Sequence, residues 1–235
     1  MTIGGSTEYG PSYEGASRSS FSVAPSFDIR RMGEAAGYSA PDDNLDTTLF
    51  EIAGVEFGPV AGFRSGRSTS DDQRLEGLRT IDWTIDAGAF VQYWPVSDRL
   101  RLRVETRQAL WDGQGLVADL SGDWFLPVDE KLVLSAGARA SLANSAYMST
   151  NFGVSPSEAV ANGRLDAFDA KGGLKSVGLA VAGTYTLSPK WSAQVYYKYD
   201  RLLNDAATSP ITSVLGSRHQ NVIGFSLSRS FEIGF

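Results

Sequence analysis

The amino-acid sequence predicts an all-β transmembrane protein, one antiparallel up-and-down β-barrel domain over residues 1–235. Three observations carry this expectation. Apolar and polar residues alternate with period two over long segments, matching the ~9–11 residues of a tilted membrane strand rather than the ~5–6 of soluble sheets. Short turns and long links follow each other along the chain, the sorting by which outer-membrane barrels keep turns periplasmic and loops extracellular. Aromatic residues gather at segment ends, as in the interfacial girdles of such barrels. A soluble β-sandwich shares the alternation but gives no reason for the sorted links.

The first four strands are placed by parity. If the last strand descends to the periplasm, Val55–Arg64 ascends, and an even-stranded barrel with both termini periplasmic needs four strands before it. Thr2–Tyr9, Phe21–Arg30, Arg31–Ala40 and Thr47–Ile52 supply them. The expected count is twelve, or ten if the first segments lie outside the wall. The chain opens without the basic and apolar regions of a signal peptide, as in a mature exported chain.

Residues 82–94 form the next strand. In Leu100–Leu110 the apolar Leu100, Leu102 and Val104 oppose Arg99, Arg101, Arg103, Glu105 and Arg107. Leu116–Leu126 sets Leu116, Leu120 and Trp124 against Asp119 and Asp123, and Leu132–Leu142 sets Leu132 and Leu134 against Arg139. Residues 177–187, 191–203 and His219–Phe231 repeat the pattern. Pro95–Ser97, Pro127–Glu130 and Ser188–Lys190 read as turns; Ser65–Arg79, Trp111–Gly115, Ala146–Gly173 and Asn204–Arg218 read as loops. Tyr93, Trp94, Trp124, Phe125, Tyr185 and Trp191 fall at the turn rim, and Trp83, Trp111, Tyr147 and Tyr199 at the loop rim. The closing Phe231, Ile233 and Phe235 resemble the C-terminal insertion signal of outer-membrane barrels, which implies the barrel assembly machinery as a partner.

With apolar residues toward lipid, the charges line the lumen. Hairpin registers drawn from the turns put Asp86 opposite Arg107, Arg107 and Arg103 opposite Asp119 and Asp123, and Asp119 opposite Arg139. The expectation is an alternating charge row that fills and stiffens the lumen, since balanced signs do not make the one-sign ring of a selective pore.

Composition removes several function classes. With no cysteine and one histidine, His219, neither a disulfide scaffold nor a Cys- or His-based metal site is expected. The net charge of −6 argues against nucleic acid as a partner, and no metal or cofactor is expected. Asp42-Asp43 and Asp71-Asp72 lack the spaced ligand series of a calcium site and read as solvated loop acids. Ser217, His219 and Asn221 are weak material for a hydrolase triad. Arg64, Arg67, Arg74, Arg79 and Arg218 near the loop rim are candidates for contact with anionic lipopolysaccharide.

Several segments resemble the MltA-interacting protein / OmpV family of outer-membrane proteins. They are Tyr147-Met148 with Asn151-Phe152-Gly153-Val154-Ser155, then Gly172-Gly173-Leu174-Lys175-Ser176-Val177-Gly178-Leu179, then residues 201–211, and Gly216-Ser217-Arg218-His219-Gln220. These lie in the two longest C-terminal loops and their roots. Phe152, Gly153, Val154, Asp205, Pro210 and Ile211 are therefore expected to fold the two loops together as a cap, either plug or recognition surface. The resemblance implies a non-enzymatic scaffold in the outer membrane of a Gram-negative cell, with a murein lytic transglycosylase and a bifunctional murein synthase as partners. A small-solute channel is the main alternative, followed by an outer-membrane hydrolase or adhesin.

Overall fold

The computed structural model describes residues 2–28, 38–111 and 113–231. Twelve strands make one antiparallel sheet. They are β1 Thr2–Pro11, β2 Ser19–Asp28, β3 Leu45–Asp46, β4 Phe50–Ile52, β5 Val55–Arg64, β6 Thr84–Val96, β7 Leu100–Ala109, β8 Leu116–Pro127, β9 Leu132–Ala143, β10 Gly173–Ser188, β11 Trp191–Leu202 and β12 His219–Ser230. The order β2-β1-β12-β11-β10-β9-β8-β7-β6-β5-β3, with β4 also on β5, is up-and-down with one closure: β1 pairs β12 from Thr2↔Ser230 to Tyr9↔Ile223. The sheet curls until its terminal strands β2 and β3 lie beside each other.

The strand expected at Thr47–Ile52 forms only as β4 at Phe50–Ile52, with β3 just before it at Leu45–Asp46; between them Leu49 N donates to Phe57 O at 2.9 Å. Most of the strand expected at Arg31–Ala40 lies outside the described residues. The links sort by rim as expected: residues 53–54, 97–99, 128–131 and 189–190 make the short turns, and residues 12–18, 65–83, 110–115, 144–172 and 203–218 the loops. Between β4 and β5, Ala53 (φ 53°) and Gly54 (φ 78°) take the two positive φ values of a hairpin turn matched to the sheet twist.

The polarity is inside-out. Along β7, Leu102 and Val104 are 47% and 44% exposed while Arg101, Arg103 and Glu105 are 3–5% exposed. Leu179, Val181 and Leu187 of β10 and Trp191, Val195 and Tyr197 of β11 likewise face outward, while Ala180, Ala182 and Tyr196 are buried. A water-soluble sheet would reverse this distribution; an apolar belt around a polar interior suits hydrocarbon.

Strict alternation corrects the girdles. Neighbouring residues point to opposite faces, so Tyr93 and Trp124 face outward while Phe125 is buried and packs on Trp94 at 5.6 Å. Tyr147 leaves the girdle altogether and lies buried in a helix of the loops.

Among the described residues the loops carry four α-helices that period-two reading does not anticipate: α1 Ser145–Phe152, α2 Pro156–Asn162, α3 Asn204–Thr208 and α4 Pro210–Ser213. Asn144 caps α1 through Tyr147 N. Ser155 and Glu158 close a capping box on α2, with Pro156 in the first turn and Gly163 (φ 66°) ending it.

Candidate functional site, the lumen and its cap

The lumen is crossed by a stretch of chain whose Asp42-Asp43 the sequence reads as solvated loop acids and whose residues 38–40 it reads as the end of a strand. Residues 38–44, here called the strap, lie inside the barrel and lead into β3 at the sheet edge. Tyr38 stacks on Phe125 at 5.5 Å. Asp42 accepts two hydrogen bonds from Arg139, at 2.7 and 2.8 Å, and Asp43 two from Arg101, both 2.7 Å. Asn44 donates to Glu105 at 2.7 Å, and Asp46 pairs with Arg103 at 2.6 Å. The correction has a physical reason. Asp42 and Asp43 each face a two-pronged guanidinium on the lumen wall, a strong and geometrically specific pairing for a carboxylate.

The wall beneath the strap is an ion-pair network with a different wiring from the expected row. Asp86 pairs with Arg64 at 2.5 Å and more loosely with Arg107 at 3.6 Å; Arg107 holds Asp119 and Glu105, both at 2.7 Å; Glu105 holds Arg103 at 2.8 Å. Asp123 lies between Arg101 at 3.0 Å and Arg139 at 2.8 Å. Asp119 and Arg139 are not partners, and Asp123 takes Arg101 rather than Arg103. The real registers are Asp86↔Ala109, Glu105↔Asp119, Arg101↔Asp123 and Ser121↔Arg139, each two residues from those drawn from the turns. A two-residue slip keeps every side chain on its face, so alternation places these residues inside without fixing their partners. Long arginines then reach diagonal neighbours, as Arg107 reaches Asp119.

Above the network sits the cap. Phe152, Ala206 and Ile211 are fully buried, and Val154 nearly so. One apolar cluster joins Tyr147, Met148 and Phe152 of α1 to Ala206 of α3 and Leu202; a second joins Val154, Leu165, Ile211 and Leu215 to Tyr13, Ala16 and Leu75 from two other loops. Ser209 Oγ, between α3 and α4, donates to Phe152 O at 2.6 Å and accepts from Ile211 N. Pro210 starts α4, and Asp205 accepts from Lys171 N at 2.8 Å, tying the two loops together again. Gly153 ends α1 where an added Cβ would stand 2.4 Å from Ser149 O. At the rim, Glu158 takes a two-pronged contact from Arg79 that, with the capping bonds from Ser155, holds its carboxyl well below the usual range. Asp72, expected in solvent, is buried against Arg74 at 2.6 Å, whose guanidinium lowers its carboxyl.

Of the five arginines proposed for lipopolysaccharide, Arg64, Arg74 and Arg79 are held by carboxylates of the chain and Arg67 is buried, while Arg218 is exposed. His219 Nδ1 and Tyr199 OH are hydrogen-bonded at 2.7 Å on the outer face, and Ser217 Oγ bonds the backbone of His219, not its ring. Phe231 is stacked by Arg229 at 4.8 Å at the turn rim; Ile233 and Phe235 lie outside the described residues.

Between strap and cap is a chamber of about 350 Å³, lined by Asp42, Asp43 and Asn44 from the strap, Tyr13 and Glu14 from the cap, and the charged wall. Glu14 pairs with Lys175 at 2.7 Å and accepts from Tyr147 OH at 2.6 Å, while burial pushes the Tyr147 hydroxyl upward.

The sequence matches the family described as MltA-interacting protein MipA over residues 3–231. No curated protein matches the chain. Solved structures that the chain is similar to include an outer-membrane channel from Pseudomonas putida F1 (12% identity, TM-score 0.49, 98% of this chain and 95% of that one). The outer-membrane channel DcaP of Acinetobacter baumannii is 10% identical, with a TM-score of 0.36 over 98% of this chain and 95% of that one. Neisserial surface protein A is 6% identical, with a TM-score of 0.31 over 98% and 96%.

Proposed function

The chain belongs to the MltA-interacting protein MipA family, and on that premise we propose that it is a closed, non-enzymatic outer-membrane barrel that anchors murein enzymes. The observation that carries this reading is the strap. Two carboxylate–arginine forks, a further ion pair and an aromatic stack hold it across the lumen. Solute transport gains nothing from a segment so placed, whereas a rigid anchor does. The partner that the family's description points to is a murein lytic transglycosylase, and the reading adds a bifunctional murein synthase beside it. They would meet the barrel at the turn rim, which faces the murein. Lipopolysaccharide phosphates would meet the exposed Arg218 at the opposite rim.

Affinity capture tests the scaffold. Folded barrel in detergent, immobilised beside an unrelated outer-membrane barrel as control, should recover a lytic transglycosylase from Gram-negative envelope extract. Recovery no greater than on the control overturns the assignment and favours the channel.

A further inference from the structure

We propose that the cavity under the cap beside Arg67 is a binding site for a small organic carboxylate. The cavity, about 180 Å³, is lined by Tyr13, Glu14, Arg64, Ser65, Arg67 and Tyr147, among others. It has room for several waters or a short-chain acid and not for a sugar polymer.

Arg67 is the charge that asks for a partner. Only 4% of it is exposed, and its guanidinium makes one hydrogen bond, from Nη1 to the neutral Asn151 O at 2.5 Å. Its Nε is buried with no acceptor, and the buried hydroxyl of Tyr13, whose ring lies 5.8 Å from the guanidinium, also has no partner. Among the described residues no carboxylate comes within ion-pair distance of Arg67. The equally buried Arg101 and Arg103 each hold two. An ionised side chain taken out of water without a counter-charge is strongly destabilising, and the desolvation pulls Arg67 down to about 10, still protonated at neutral pH.

The other charges of the cavity are already balanced. Arg64 is held by Asp86 and Glu14 by Lys175. One uncompensated positive charge remains, which selects a monoanion. A phosphate dianion would meet the Glu14 carboxylate in the same cavity, so a carboxylate fits better. Its oxygens would satisfy the guanidinium as a fork, and the two tyrosine rings would cover its carbon chain.

The test uses the full chain folded in detergent, with sodium acetate as probe and sodium chloride at equal ionic strength as control. Proton–nitrogen spectra of the arginine side chains should show a saturable shift of the Arg67 Nε–H with acetate and not with chloride. Arg67→Gln should weaken the acetate-dependent rise in Tm at least about tenfold, the loss of one charge-assisted pairing. Arg18→Gln, at an exposed rim arginine, should leave it intact. If Arg67→Gln does not fold, the wild-type titration decides alone. No saturable shift in the wild type, an equal loss in Arg18→Gln, or tighter binding of inorganic phosphate than of acetate overturns the proposal.

Discussion

Neutralising the strap's two leading acids should release it from the lumen. In Asp42→Asn/Asp43→Asn the forks to Arg139 and Arg101, with bonds of 2.7–2.8 Å, lose their charge. Charge-assisted hydrogen bonds contribute about 1.5–3 kcal/mol each, so two forked pairs are worth about 3–6 kcal/mol if each fork counts once. At a factor of ten per 1.4 kcal/mol, the released state should become about 10²–10⁴-fold more populated, toward the lower figure because asparagine keeps a neutral acceptor. The wall should survive, since Asp123 still holds both arginines. The chain has no cysteine, so Ala40→Cys places a unique thiol on the strap at a buried position. Its labelling by a membrane-impermeant maleimide, measured slowly enough that reclosing outpaces reaction, reads the released population. The pair of asparagines should speed labelling by at least about a hundredfold. A rate within threefold of the Ala40→Cys parent, in protein that remains folded, would refute the idea that these forks hold the strap.

Three other outcomes follow from the geometry. Leu102→Arg, on the outward face of β7, should cost about 2–4 kcal/mol if that face lies near mid-bilayer; urea unfolding in lipid vesicles reads this, and an unchanged midpoint contradicts the orientation. Phe152→Ala removes a fully buried ring from the cap, a change that costs about 3–5 kcal/mol in well-packed cores; protease should cut residues 144–172 faster while the barrel stays folded. Glu158→Gln should loosen the α2 end of the cap by about 0.5–1 kcal/mol through loss of the charged Arg79 fork, since glutamine still closes the capping box. Because the native Glu158 value is depressed, its contribution is complete above the ordinary carboxylate range near pH ~4.3 and is lost as pH falls through the native value. Hydrogen exchange of α2 across that window should show the loss in the wild type and not in Glu158→Gln.

Period-two alternation made the outward and inward faces legible, because face depends only on parity. It could not make register legible. A bulge between Tyr93 and Val96 and the lengths of the links set which residues face each other, and a slip of two leaves the pattern unchanged. The girdle reading erred where it took adjacent aromatics together: Trp94 and Phe125 obey the same parity as the charges and turn inward. The cap was anticipated from apolar residues in loops, Phe152, Val154 and Ile211, that free solvation would not favour. Its helices carried a usable mark in Ser155-Pro156-Ser157-Glu158, a capping-box sequence with proline in the first turn. The strap was the hardest feature to see. Asp42-Asp43-Asn44 has loop composition, and only the surplus of arginine on the inward face of β7, three against Glu105, hinted that acids must arrive from elsewhere.

Whether the lumen is shut can be read electrically. Wild-type protein inserted in a planar bilayer, with insertion verified independently, should pass no current above the bare membrane, because strap and cap close the lumen in series. Steady, reproducible conductance steps from the wild type would contradict the closed barrel and make the strap a gate.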